Sequence, residues 1–307
     1  MSTQVSTPLD SRQWRQIGII TVGAIVLFAF FRWLPTGTSL SHMDFRVDAK
    51  NSIEFCDPLN PQFIPVVAVA SPVSLTITSP VARAGEVVSA TVILKTANGK
   101  PIATQDLLVV HTKRLHLLIV DATLTDYQHV HPEPTDVPGE WAFRFTPRLG
   151  GAYRVFADFT PAATNRGLYA NTDLQVAPSA QGPATANADQ PADVAADYVL
   201  TLTPASQPLR AKQVIDLTFT ITHRNGALVP LLPVMDAYAH LVAFDQARSG
   251  FAHLHPMQAD PAEAPDRSKP ALKFKITIPS PGRYVIWAQV NLGGREAFVP
   301  FWFDVEA

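Results

Sequence analysis

Cysteine is nearly missing from this chain. Its 307 residues include one, Cys56, so an intrachain disulfide is excluded, as is every zinc or haem motif built on paired cysteines. Any bound metal must be held by imidazole, carboxylate or thioether. Charge is also scarce: 16% of residues are charged, the formal net charge is −2, and no run of Lys and Arg forms a basic stripe. A nucleic-acid partner is set aside on that ground. The usual catalytic signatures are missing too, with no Gly-x-Ser-x-Gly elbow, no Cys/His nucleophile pair and no clustered carboxylates. The expectation is a non-enzyme. A zinc hydrolase with an open position on a three-histidine site is the one catalytic route left.

What the chain does contain is apolar residues, 47% of the total, enough to fill two cores. The longest apolar run is Ile17 to Phe31, bracketed by Trp14 and Trp33. At about 1.5 Å per residue the two tryptophans stand roughly 28 Å apart on a helix, close to the ~30 Å hydrocarbon core of a bilayer. Residues 17–34 therefore read as one transmembrane helix after a cytoplasmic tail, 1–16. A signal peptide is the competing reading, but LPTGTSLSHM offers no small-x-small cleavage site. Arg12 and Arg15 before the helix, against Arg32, Arg46 and Lys50 after it, leave the orientation undecided by charge. The short tail favours a single pass through the inner (cytoplasmic) membrane with the bulk on the periplasmic or extracellular side. Residues 35–72 form a proline-rich polar connector in which Ser52 to Cys56 is a candidate edge strand and Cys56 a bystander thiol.

From residue 73 the pattern has period two, the mark of strands with one buried face. Val88, Ala90, Val92 and Leu94 alternate with smaller or polar neighbours, as do Ile215, Leu217, Phe219 and Ile221. Each set is followed by an Asn-Gly turn, Asn98-Gly99 and Asn225-Gly226. Trp141, Phe143 and Phe145 answer Phe274, Ile276 and Ile278, and a Gly-x-Tyr strand follows in both copies, at Gly151-Ala-Tyr153 and Gly282-Arg-Tyr284. Residues 179–197 are rich in Ala, Pro and Asp without periodicity and read as a linker. The fold class is therefore all-β: two tandem immunoglobulin-like β-sandwich modules, 73–178 and 198–307, preceded by one N-terminal transmembrane helix.

A shift of 124 positions lays the copies on each other without a gap through a histidine pattern. His116, Asp121, His129 and His131 fall on His240, Asp245, His253 and His255, with each His-x-His followed by proline. Residues i and i+2 of a strand share a face about 6.5–7 Å apart, so each His-x-His can turn two imidazoles towards one ion. If the strand pair has an odd register sum, 116 opposite 131, then His116, Leu118, Val120, Tyr127, His129 and His131 form one strip; an even sum dissolves it. The second copy repeats the strip as His240, Val242, Phe244, Phe251, His253 and His255. Neutral imidazole suits Zn(II) and Cu(II), so the six histidines are candidate ligands for copper, favoured, or zinc. His111, Met235 and Met257 are weaker candidates; the shift pairs His111 with Met235, and Glu133 with Met257. Asp158 is a candidate to orient an imidazole, an idea weakened because its counterpart, seven residues past the glycine of the Gly-x-Tyr strand, is Gln289. The competing reading is a metal-free structural corner, with the histidines bonded to backbone carbonyls, Pro132 and Pro256 ending the strands, and Asp121 and Asp245 in turns. His42 and His223 read as ordinary solvated residues.

The segments HLLIVDATLTDYQHVHPEP, GEWAFRFTPRLGGAYRVFADF and HLVAFDQARSGFAHLHP resemble the YtkA-like and related immunoglobulin-like domains of bacterial exported proteins, which carry a His-x-His-Pro turn ahead of a Gly-x-Tyr strand. The resemblance covers both modules. It implies an envelope protein connected with copper or other heavy metals, and it does not imply an enzyme. The membrane anchor rests on the N-terminal helix, and an envelope protein partner belongs to the competing reading, a metal-free structural or interaction module.

Overall fold

A computed structural model of the chain describes residues 10–33, 38, 40–45, 62–68, 71–180, 194–257 and 262–307. Cys56, the candidate strand at 52–56 and most of the linker lie outside these residues. Among its described residues the first unit of the chain, Met1–Thr38, contains a single helix, α1 (Ser11–Trp33). It begins at Ser11 rather than at residue 17, and a capping box explains the difference: Gln13 N–H donates to Asp10 Oδ1 at 2.7 Å while Asp10 N–H donates to Gln13 Oε1 at 2.9 Å. Its Ser11–Phe31 stretch is long and apolar enough to cross a bilayer.

The second unit, Ser39–Ala307, holds eighteen strands among its described residues. Those of the first module are β1 (Val73–Thr78), β2 (Ala82–Arg83), β3 (Val88–Thr96), β4 (Leu115–Asp121), β5 (Tyr127–Val130), β6 (Glu133–Pro134), β7 (Glu140–Phe145), β8 (Gly151–Phe159) and β9 (Leu168–Ala177). They form sheets ordered β1-β3-β7-β6 and β2-β9-β8-β4-β5. The second module has β10 (Tyr198–Pro204), β11 (Leu209–Arg210), β12 (Val214–His223), β13 (Leu231–Leu232), β14 (His240–Asp245), β15 (Phe251–Leu254), β16 (Ala271–Thr277), β17 (Gly282–Leu292) and β18 (Arg295–Glu306). Its sheets run β10-β12-β16 and β11-β18-β17-β14-β15, with β13 against β17. Each module is a sandwich whose alternating residues meet between its own two sheets: Val92, Leu94, Trp141, Leu117 and Val155 in one, Leu217, Phe219, Phe274, Leu241 and Ile286 in the other. A tyrosine corner closes each, Tyr153 donating to the Leu149 carbonyl at 3.1 Å and Tyr284 to the Ser280 carbonyl at 3.0 Å.

The two sandwiches also pack against each other. β4 is buried along its whole length, which a strand in a two-layer sandwich is not, because one face normally meets solvent. The outward residues Leu118, Val120, Tyr127 and Phe156 of the first module form a third core with Val242, Phe244, Phe251, Val285 and Trp287 of the second. Polar contacts frame this apolar seam. Arg154 donates to the Arg248 carbonyl, Arg248 donates to the Ala152 carbonyl, and the Trp287 indole N–H donates to the Leu124 carbonyl. Part of the connector is structured as well. Leu40 and Phe45 pack on the first core, Phe63 enters the second, and Ile64 exchanges backbone hydrogen bonds with Phe251 at 2.8 and 3.1 Å. Gly250 is required there, because a Cβ at that position would overlap the Ile64 carbonyl.

Candidate metal centre

β4 pairs with β5 so that Leu117 faces Val130 and Leu118 faces His129; β14 pairs with β15 so that Leu241 faces Leu254 and Val242 faces His253. Both registers have the odd sum, so His116, His129 and His131 share a face, as do His240, His253 and His255. That face is the one buried between the modules. In each triad one ring nitrogen per histidine lies within 4.8 Å of the others. His116, His129 and His240 are buried, and His131, His253 and His255 half-buried.

The hydrogen bonds assign the tautomers. His116 Nε2–H donates to the Val110 carbonyl at 3.1 Å, and His240 Nε2–H donates to the Val234 carbonyl at 2.9 Å. These acceptors sit on matching tight turns, where His111 and Thr112 in one copy, Met235 and Asp236 in the other, take positive φ. Gln289 donates its amide N–H to Glu296 at 2.7 Å, which turns its Oε1 towards His129 Nδ1–H at 2.9 Å. His253 Nδ1–H donates to Asp158 Oδ2 at 3.2 Å. Each middle histidine is thus oriented by the other module, and Asp158 and Gln289, equivalent by register because they face His116 and His240 on the neighbouring strands, exchange roles across the seam.

A consequence follows for the remaining nitrogens. With Nε2 of His116 and Nδ1 of His129 both donating, His116 Nδ1 and His129 Nε2 carry lone pairs, yet they face each other at 3.1 Å. Neither can donate to the other while both rings are neutral, and burial holds both pKa values below the usual imidazole range. The spacing matches two ligands on one ion, since bonds of about 2.0 Å at a tetrahedral angle span roughly 3.3 Å. His131 Nε2, His240 Nδ1, His253 Nε2 and His255 Nε2 are buried without a partner among the described residues, an unusual density of unsatisfied polar atoms. Burial also lowers His131 to about 3 and His240 to about 4, and pushes His253 and His255 well down. His116, His129, His240 and His253 are therefore neutral bases with their second nitrogens already bonded, the condition in which imidazole ligates metal. Burial raises the Asp158 pKa, opposed by His116 and His111.

The weaker candidates separate. His111 joins the cluster, its ring stacked 3.8 Å from that of His255. Met257 is exposed and Met235 half-buried. Asp121 and Asp245 are turn residues: Asp121 accepts from the backbone N–H of Thr123, Thr125 and Asp126, and Asp245 from that of Ser249. His42 is exposed, and His223 packs on Tyr198 with ring centroids 4.8 Å apart. Sequence reasoning discounted Asp158 because its counterpart is Gln289; the crossed arrangement makes that mismatch a pairing.

Comparison with protein families finds a match to the model described as Domain of unknown function (DUF8832) over residues 69–176 and 192–307. No curated protein matches the chain. Among solved structures, a Salmonella alpha-2-macroglobulin reacted with methylamine is 13% identical, over 85% of this chain and 16% of that one, with TM-score 0.26. The Escherichia coli adhesin FdeC is 19% identical over 76% and 63%, with TM-score 0.22. Fibronectin(III)-like modules of Clostridium thermocellum CbhA are 12% identical over 76% and 93%, with TM-score 0.20. The chain spans about a sixth of the length of that macroglobulin, and scores this low carry no inference about it.

Proposed function

The chain belongs to the DUF8832 family, and from its histidine centre we propose that it is a membrane-anchored envelope protein that binds a transition metal for storage or handover rather than for turnover. The observation that carries this reading is the pair of facing lone pairs on His116 and His129, 3.1 Å apart, which a cation reconciles. Copper is favoured over zinc, because for an all-nitrogen donor set affinity rises to Cu(II) and falls again at zinc. The apolar α1 supplies the anchor, with the modules on the outer side of the inner membrane. The likeness of the His-x-His-Pro and Gly-x-Tyr segments to YtkA-like domains points the same way.

The test is metal analysis of the full chain, purified in detergent without a histidine tag. Copper or zinc should be present in stoichiometric amount and should vanish when His116→Ala, His129→Ala, His240→Ala and His253→Ala are combined. A metal-replete preparation that holds none would favour the second reading, a metal-free interaction module. The carbonyl bonds of His116 and His240 are the observation on its side.

A further inference from the structure

The two triads adjoin. His253 of the second triad lies with its ring centroid 5.3 Å from His129 and 5.8 Å from His116 of the first. Within the triads, His116–His129 and His240–His253 are 5.3 and 5.5 Å apart. His129 and His240 are 6.4 Å apart across the same boundary. Separation between triads is thus comparable with separation inside them, and the unpartnered nitrogens of both are buried along one seam. The orienting groups are crossed, since Gln289 of the second module fixes His129 and Asp158 of the first fixes His253. Each triad takes its three ligands from one module and its fourth participant from the other.

Resting on the metal-binding reading, we infer that the centre is binuclear: two transition ions, each on three imidazoles, sit side by side in the seam between the modules, and neither module completes its own site alone. Two cations at such separation repel, and a half-buried carboxyl at Asp158, the acid bonded to the cluster among the described residues, offsets part of that repulsion. A small anionic bridging ligand, such as hydroxide from water that loses its proton to solvent, would offset more.

Full-length tag-free protein is loaded with Cu(II), and copper content and integrated electron paramagnetic resonance intensity are measured on the same sample. The expected result is two coppers per chain with a spin count below half the copper content, because neighbouring Cu(II) ions couple. His253→Gln/His255→Gln should keep one copper with its full spin count. If that variant does not fold, copper–copper scattering in X-ray absorption of the unmodified protein decides without any variant, and its presence supports the inference. Two coppers with full spin count and no such scattering, or a single copper shared by both triads, would overturn the binuclear centre and leave metal binding standing. No copper would overturn both. Asp158→Asn is expected to weaken the site of the other module by about 10–100-fold, as loss of an orienting partner does, and no change there would remove the crossed arrangement from the argument.

Discussion

The two triads share a backbone and differ in what orients them. In each, the first histidine is pinned by a carbonyl on a tight turn and the middle one by a residue from the opposite module. In the first triad that residue is Gln289, a neutral amide held by Glu296; in the second it is Asp158, a carboxyl group. A carboxylate makes its imidazole a stronger donor than an amide does. The second triad also has an extra imidazole, His111, stacked on His255, where the shift places a methionine in the other copy. Duplication alone would have made two equal sites. The difference in orienting groups predicts an ordered pair, the second triad filling first.

Removal of ligands should break the comparison most. His253→Ala/His255→Ala should abolish the tighter site and His129→Ala/His131→Ala the weaker one, each lowering metal content by about one ion per chain; isothermal titration separates them. Next comes the seam itself. Phe244→Ala should cost about 3–5 kcal/mol in denaturant unfolding and weaken both sites together, since Phe244 packs against residues of both modules. A loss confined to one site would show that the modules bind independently.

Acid should act on both triads alike. Burial lowers the folded-state pKa of the clustered histidines below the usual ~6.5, to about 3 for His131 and about 4 for His240. The unfolded chain then binds more protons than the folded one between those values. Metal-free stability should therefore be level above about pH 6.5 and fall as pH drops towards about 4, by at least ~1.4 kcal/mol per pH unit. Denaturation midpoints at pH 7.5 and pH 5 check this, and removing either His-x-His pair should flatten the dependence. The smallest expected effect sharpens the asymmetry: Asp158→Asn should weaken the second site by about 10–100-fold, and Gln289→Leu the first towards the lower end of that range.

Much of this was legible because strand parity is a hard rule. An odd register placed His116 with His129 and His131 on one strip, and the pairing of Leu118 with His129 has that parity. The same rule puts Asp158 beside Phe156 on β8 and Gln289 beside Trp287 on β17, both facing outward. What parity could not say is that the two outward faces meet. A signal for it was present: LHLLIVD and HLVAFD are apolar on both faces, and a strand with no solvent side needs a second layer. The start of α1 was missed because Asp10 and Gln13 act through capping rather than hydropathy. The docking of Phe63 and Ile64 had no sequence signal, since a short apolar stretch among prolines has no period.

That docked stretch has a consequence for synthesis. Ile64 is made first but bonds Phe251, about 190 residues later, which at ~5–20 residues per second is a wait of roughly 10–40 s. Until then the Phe63–Ile64 stretch has no edge to pair with, and the apolar outer face of the first sandwich lacks its cover from the second module. The nascent chain must therefore carry a finished but sticky first sandwich through that interval, until strands of the second module arrive to cover it.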